Sequence, residues 1–219
     1  MKKYFDVLRK CILFDGIDNE DLLTMLTCLK PRIESYDKKY TILAEGTPAK
    51  YIGIVLSGSA HMIRTDYYGN RSIVSEITPS EIFAEPFACA GVESIPVSVV
   101  ANEPGEIMLI DCARILHPCS NACGFHNQMI FNLVKSLAGK NLTLHKKIEI
   151  TSRRSTREKL MTYLSQQAKK ASKNSFKIPF DRQELADYLE VERSGLSVEI
   201  GKLKKEGILD CNKNNFVLL

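Results

Sequence analysis

The stretch RQELADYLEVERSGLSVEIGKL, Arg182 to Leu203, decides how the C-terminal part of the chain folds. Leu185, Ala186 and Leu189 give its first half an apolar stripe at helical spacing, and Leu196, Ile200 and Leu203 give the second half another. Glu190-Val191-Glu192 is too short to be a linker, so two short helices must cross sharply, with Ala186 small enough to let them approach. On the second helix, the side away from the leucines carries Arg193, Ser194 and Ser197, side chains able to bond phosphates or base edges. The segment alone allows two readings: a plain hairpin of helices with a solvated polar face, or a helix-turn-helix that presents its second helix to DNA. The rest of the chain discriminates between them.

With 219 residues, 44% of them hydrophobic and 26% charged, the chain has enough apolar sequence for one or two cored domains and too much of it for disorder. No apolar run approaches the ~20 residues that span a bilayer. The N-terminal MKKYFDVLRK leads into mixed polar sequence rather than a signal-peptide core, so a cytoplasmic protein without a membrane partner is expected. The seven cysteines, Cys11, Cys28, Cys89, Cys112, Cys119, Cys123 and Cys211, are odd in number and scattered, unlike a secreted disulfide framework. Most are expected to be reduced thiols. The formal charge of +4 is unevenly spread: residues 1–150 are nearly balanced, whereas residues 151–219 hold 14 Lys and Arg against 9 Asp and Glu. That basic excess coincides with the two-helix segment and favours a polyanion, with salt-dependent binding through counterion release.

Residues 1–30 read as short helices, with Phe5, Leu8 and Ile12 apolar and Asp18 an N-cap before Leu22, Leu23, Leu26 and Leu29. Pro31 ends that run. From Arg32 to about Ile110 the sequence breaks into short β-rich segments, ILAEG, YIGIVLSG, SAHMI, YYGNRSIVSEI, PVSVVA and EIMLI, at a spacing that implies a sandwich or barrel. Gly46, Gly58 and Gly69 fall where tight turns need positive φ, and Tyr68-Gly69-Asn70 is the best hairpin candidate. After Pro118 about thirty residues are helical. There Ile130, Val134, Leu137, Asn141, Leu144 and Ile148 step alternately by four and three, a coiled-coil seam with one asparagine. Such a seam predicts a parallel dimer whose buried Asn fixes register by pairing with its own copy. The alternative is a helix packed on its own β-domain; the dimer is preferred because both faces of the helix carry leucines, Leu133 and Leu142 besides the seam. Thr151 to Ser155 is a polar, basic hinge. Beyond it come a helix with Leu160, Met161 and Leu164, the strand Phe176-Lys177-Ile178, Asp181 as N-cap, and a hairpin from Ile208-Leu209 to Phe216-Val217-Leu218. The hairpin makes the helix-turn-helix winged.

In this order of parts the chain resembles the Crp/Fnr family of bacterial transcription regulators over essentially its whole length. The resemblance is carried by YIGIVLSGSAHMI with its glycine, ITPSEIFAEPF at the family's phosphate-binding cassette, the seam helix, and FDRQELADYLEVERSGLS. It implies an α+β chain: a β-roll (a double-stranded β-helix or jelly roll) of the cyclic-nucleotide-binding kind over residues 1–118, a dimerisation helix over 119–151, and a winged helix-turn-helix over 152–219. It further implies a homodimer on palindromic double-stranded DNA, an effector sensed by the β-roll, and RNA polymerase as a partner if the protein activates. The implied DNA-binding residues are Asp181, Arg182, Gln183, Glu192, Arg193, Ser194, Ser197 and Val198. Arg182 and Gln183 match phosphate contacts, and Arg193 matches an arginine that reads a guanine edge, worth ~1–3 kcal/mol of discrimination. Ser194 and Val198 stand where many members carry an acidic residue and a second arginine. Glu190 replaces the usual turn glycine, and Gly195 lies inside the second helix, each costing about 1 kcal/mol.

The implied effector pocket comprises Ile82, Phe83, Ala84, Glu85, Pro86 and Phe87, with Ile95, Pro96 and Val97, and the helix positions Leu142 and Thr143. Holding a cyclic phosphate there takes a Gly-Glu turn and an Arg-Ser or Arg-Thr pair. Here the first is Ala84-Glu85 and the second falls on Ile95-Pro96, so no cation neutralises the phosphate and cyclic AMP is not expected to be the effector. No cofactor is identified. HPCSNACGFH places His117, Cys119, Cys123 and His126 within ten residues, which suggests zinc, haem or a thiol switch as another sensor, with Cys119, Cys123 and His126 the candidate ligands. Buried inert cysteines are the commoner outcome, and the N-terminal cysteine cluster of iron–sulfur sensors is absent. An enzyme is not expected, because His61, His117, His126 and His145 have no nucleophile-and-acid partners in a recognisable motif and no P-loop or dinucleotide fingerprint appears. A nucleotide-binding or interaction module without specific DNA binding is the remaining alternative.

Overall fold

The computed structural model describes residues 2–69, 71–117 and 124–219. They form two compact units, 1–139 and 140–219, dividing within one long helix.

The first unit opens with α1 (Phe5–Leu8) and α2 (Asn19–Leu29). Asp18 caps α2 as its pattern requires, accepting from the amides of Glu20 and Asp21. Lys30, in the left-handed region, ends the helix ahead of Pro31. The β-segments follow as β1 (Arg32–Tyr36), β2 (Thr41–Leu43), β3 (Tyr51–Val55), β4 (Ala60–Thr65), β5 (Arg71–Ile77), β6 (Ile82–Phe83), then α3 (Glu85–Ala90), β7 (Ser98–Ala101), β8 (Gly105–Asp111) and α4 (Cys112–Leu116). They make two four-stranded antiparallel sheets, β1-β8-β3-β6 and β2-β7-β4-β5.

YIGIV is almost uniformly apolar because β3 is buried on both faces. Val55 joins Ile107, Leu109, Val99 and Ala101 in the core between the sheets, while Ile52 and Ile54 join Met108 and Ile110 beneath α1, α2 and α4. Gly53, between them, faces the ring of Phe83, which a Cβ would meet at 2.0 Å.

Gly46, Gly58 and Gly69 all adopt positive φ, as their turns demand. Asn70 of the foreseen hairpin lies outside the described residues; the turn before it is closed by Gly69 N–H donating to the Asp66 carbonyl at 3.0 Å. Gly58 and Gly105 have a further duty. A Cβ on Gly58 would meet the Pro104 carbonyl oxygen at 2.5 Å, and one on Gly105 the Ser57 carbonyl oxygen at 2.1 Å, so two loops touch backbone to backbone. Two helices and two strands went unforeseen: α3, α4, β1 and β6.

α5 (Gly124–Thr151) is the long helix. Its residues Met129 and Leu133 enter the core under α1 and α2, with Leu137 packed against it. Of the foreseen seam, Ile130 and Leu137 are half-buried within the single chain; Phe131, outside the seam, is exposed. Val134, Asn141, Leu144 and Ile148 are exposed.

The second unit continues with α6 (Thr156–Ala171), β9 (Ser175–Lys177), α7 (Arg182–Leu189), α8 (Arg193–Lys205), β10 (Leu209–Asn212) and β11 (Asn215–Leu218). The strands form an antiparallel sheet, β10-β11-β9. Ile150, Leu160, Leu164, Leu185, Leu189, Leu196, Ile200, Leu203 and Phe216 fill its core. Capping boxes start α6, between Ser155 and Glu158, and α7, between Asp181 and Glu184.

Replacing Gly105 with Ala drives a Cβ into the Ser57 carbonyl and should destabilise the first unit by about 2–3 kcal/mol. Gly46→Ala strains φ in open space and should cost about 1 kcal/mol. Denaturant titration of both variants checks the difference; equal losses would mean that the loop contact contributes nothing.

Candidate nucleic-acid interface and sensor pocket

The α7–α8 crossing rests on Ala186, fully buried, whose carbonyl accepts from Val191 N–H at 3.0 Å. Between the helices Glu190 sits at φ 55, ψ 55, in the left-handed region that glycine would occupy without strain. Two lysines compensate. Lys159 donates to the Glu190 carbonyl at 3.3 Å, and Lys147, on α5, stands 3.6 Å from the Glu190 carboxylate. Lys147 also donates to the Tyr188 carbonyl and lies 4.2 Å from the centre of the Tyr188 ring. Neither lysine was foreseen, because their contacts span 31 and 41 residues.

α8 is held from behind by Arg157. Its guanidinium forks onto Glu206 at 3.0 and 2.5 Å and approaches Glu199 at 3.6 Å. This pairing holds the Glu206 carboxyl below its ordinary range.

The outward face of α8 carries Arg193, Ser194, Ser197 and Val198, all exposed, with Leu196, Ile200 and Leu203 turned into the core. No acidic side chain among the described residues pairs with the Arg193 guanidinium. The Ser197 hydroxyl donates to the Arg193 carbonyl at 3.0 Å, so it meets a ligand as an acceptor. Glu192 is exposed at the N-cap of α8 and caps nothing with its side chain. Asp181 is committed to the amide of Glu184, and Gln183 donates to Asp187 at 2.8 Å. The Arg182 guanidinium lies 5.8 Å from the Phe216 ring centre. It borders a cleft of about 240 Å³ shared with Phe180 and with Lys213 and Asn214 of the β10–β11 turn. Lys213 is a cation that the strand pattern alone did not single out.

In the first unit, Ile82, Phe83, Ala84, Ile95 and Val97 are buried, and Glu85, the first residue of α3, is wholly enclosed. Pro86 and Pro96 are exposed and Phe87 is half-buried. Phe83 and Ala84 belong to the core between the sheets. Ile95 spends its N–H on the Thr47 carbonyl at 2.9 Å, and Pro96 has none. Leu142 and Thr143 are exposed on α5.

His126 is buried, with Nε2 3.1 and 3.0 Å from the carbonyl oxygens of Arg114 and Ile115, to which it donates. That bond ties α5 to α4 and occupies one of the two nitrogens a metal would use. His117 is exposed, and Cys119 and Cys123 lie outside the described residues. Among the described residues no group of three or more His, Cys, Asp or Glu is placed to hold a metal.

The family model for a cyclic nucleotide-binding domain matches residues 33–120, and that for a Crp-like helix-turn-helix domain matches residues 158–219. The chain belongs to the Crp/Fnr family. It is therefore a transcription regulator with a helix-turn-helix for DNA, and its family is not one of enzymes. The transcriptional activator protein FnrL of Cereibacter sphaeroides is 21% identical over 211 residues, covering 92% of this chain and 81% of that one. Solved structures agree in fold. The catabolite activator protein of Thermus thermophilus superposes with a TM-score of 0.56 at 19% identity, covering 95% of this chain and 93% of that one. The c-di-GMP-responsive regulator CLP of Xanthomonas campestris gives 0.55 at 16%, over 91% and 99%. No helix among the described residues is long and apolar enough to cross a membrane.

Glu190→Gly relieves a left-handed residue, worth about 1 kcal/mol, and gives up an exposed ion pair worth less, so it should leave stability unchanged or raised. Lys147→Ala removes the donor from the Tyr188 carbonyl and should cost about 1 kcal/mol. Thermal unfolding of the two variants checks the pair; a large loss in Glu190→Gly would mean that the carboxylate, not the backbone, governs the turn.

Proposed function

We propose that the protein is a homodimeric regulator that binds a palindromic operator through α8, with the β-roll sensing an effector other than cyclic AMP. The supporting observation is the outer face of α5. Phe131, Val134, Leu142, Leu144 and Ile148 are 61, 58, 63, 63 and 60% exposed along one helix, with Asn141 among them. Apolar side chains at that density on a soluble helix are covered when two copies of α5 pair. The asparagine then meets its copy and sets the register. A two-fold dimer presents two α8 helices to successive major grooves, which is why the operator is palindromic, with half-sites about one helical turn apart.

On each α8, Arg193 is the base reader, its guanidinium offering two donors to a guanine edge. Val198, 59% exposed on the same face, offers methyl groups that suit a thymine methyl rather than a phosphate. Arg182 and Lys213, across their shared cleft, supply phosphate contacts. Against cyclic AMP stands the Ile95-Pro96 step, which carries no charge and no free N–H. RNA polymerase is the partner if the regulator activates.

Arg193→Ala should weaken binding to a selected operator by about ten- to hundredfold, the worth of one bidentate base contact, and weaken nonspecific binding much less. Gel shifts on operator and random DNA distinguish the cases, and equal losses would reduce Arg193 to a phosphate contact. Random-sequence selection should return a palindrome; no enrichment would overturn the operator reading. Calorimetry should show no micromolar isotherm for cyclic AMP, and a clear one would overturn the exclusion.

A further inference from the structure

Two thiols that lie 23 residues apart in sequence meet inside the β-roll. Cys89 is on α3 and Cys112 opens α4, and their Sγ atoms are 3.8 Å apart. Cys112 is buried in the core under α2, and Cys89 is half-buried against the same core. Burial pushes both thiols up, Cys112 to about 12, so they rest as thiols at neutral pH. A disulfide needs ~2.05 Å between sulfurs, so the pair must close by roughly 1.8 Å. α3, which carries Cys89, is only six residues long and is bounded by left-handed turns at Ala84, φ 63, and Gly91, φ 62. Glu85 stands one helical turn before Cys89, close enough for its charge to act on that thiol.

We propose that Cys89 and Cys112 form a redox-active dithiol that a hydroperoxide oxidises to a disulfide pinning α3 to α4. Cys89 is the more exposed sulfur and reacts first. Its thiolate attacks the hydroperoxide, the O–O bond breaks, the alcohol or water leaves, and Cys89 becomes a sulfenic acid. The Cys112 sulfur then displaces the sulfenic hydroxyl, which departs as water with the Cys112 proton. Two thiols and one hydroperoxide thus give one disulfide, one alcohol and one water, two electrons passing from sulfur to the peroxide. Burial slows the first step. The second is intramolecular between atoms already in contact, so it outruns further oxidation to the sulfinic acid. Once formed, the bond fixes the helix that carries Glu85.

The test uses the full-length protein treated with hydrogen peroxide, blocked with iodoacetamide under denaturing conditions and digested without reductant. Mass spectrometry should find the Cys89 and Cys112 peptides joined, lighter by two hydrogens than their sum, and separated again by dithiothreitol. In Cys112→Ser, dimedone should trap the Cys89 sulfenic acid. Hydrogen exchange should slow in α3 only in the oxidised protein, and Cys89→Ser, a change at the half-buried partner, should abolish that slowing. Recovery of both peptides alkylated while Cys28 is oxidised, or joining of Cys89 to a different cysteine, would overturn the proposal. The crosslink is read by mass and not through DNA binding, so its failure is distinct from failure of the operator reading.

Discussion

The chain turns from α7 into α8, the second helix of the helix-turn-helix, at one left-handed backbone position, Glu190 at φ 55. A left-handed residue with a Cβ is disfavoured by about 1 kcal/mol, and glycine would avoid that cost. The side chain does what glycine could not: its carboxylate is met by Lys147, a residue of α5, and its carbonyl by Lys159 of α6. Lys147 also holds the preceding turn through the Tyr188 carbonyl and ring. The turn between α7 and α8 is therefore attached at three points to helices that precede it. Within this unit, the end of α5 is thereby tied to the turn that leads into α8.

That attachment explains the economy of the α8 surface. Its inner side is fixed by Leu196, Ile200 and Leu203 and its flank by the Arg157 fork onto Glu206, so the outer side needs no internal bonds. Arg193 is left without a carboxylate partner among the described residues, and a cation with no internal partner gives up only water to any acceptor brought against it. Ser197 differs, since its hydroxyl proton is committed to the backbone of its own helix. Polar residues on one helix face are thus not equivalent as donors, and the difference lies in bonds one turn long.

Those distinctions mark where sequence reading stops. The α2 cap, the β3 segment, the crossing at Ala186 and the wing were legible because each follows from a local period or a short-range bond. β6 and α3 were not: two and six residues long, they are fixed by partners such as Gly53 facing Phe83, far away in sequence. On α5 the helical period was legible and the packing of each residue was not. A heptad pattern registers apolar spacing but not which core receives each residue, and here Leu137 goes to its own unit while Phe131 stays outside. Lys147 and the Cys89–Cys112 pair were illegible for the same reason, since each joins residues more than twenty apart.

The sensor poses the sharpest contrast between a retained frame and altered chemistry. The two sheets, the buried Glu85 and the short α3 between left-handed turns are all present. At Ile95-Pro96, where the family resemblance expects a cation for a phosphate, stands an apolar step whose one N–H is already bonded to Thr47. A charged ligand brought there would lose its hydration and gain little in return. On the proposed reading, a signal that acts through this frame works on the position of α3 rather than through an anion held against it. That helix is held on one side by Ala88 and Cys89 against the core beneath α1 and α2, and on the other by Ala84 and Phe87 against the core between the sheets.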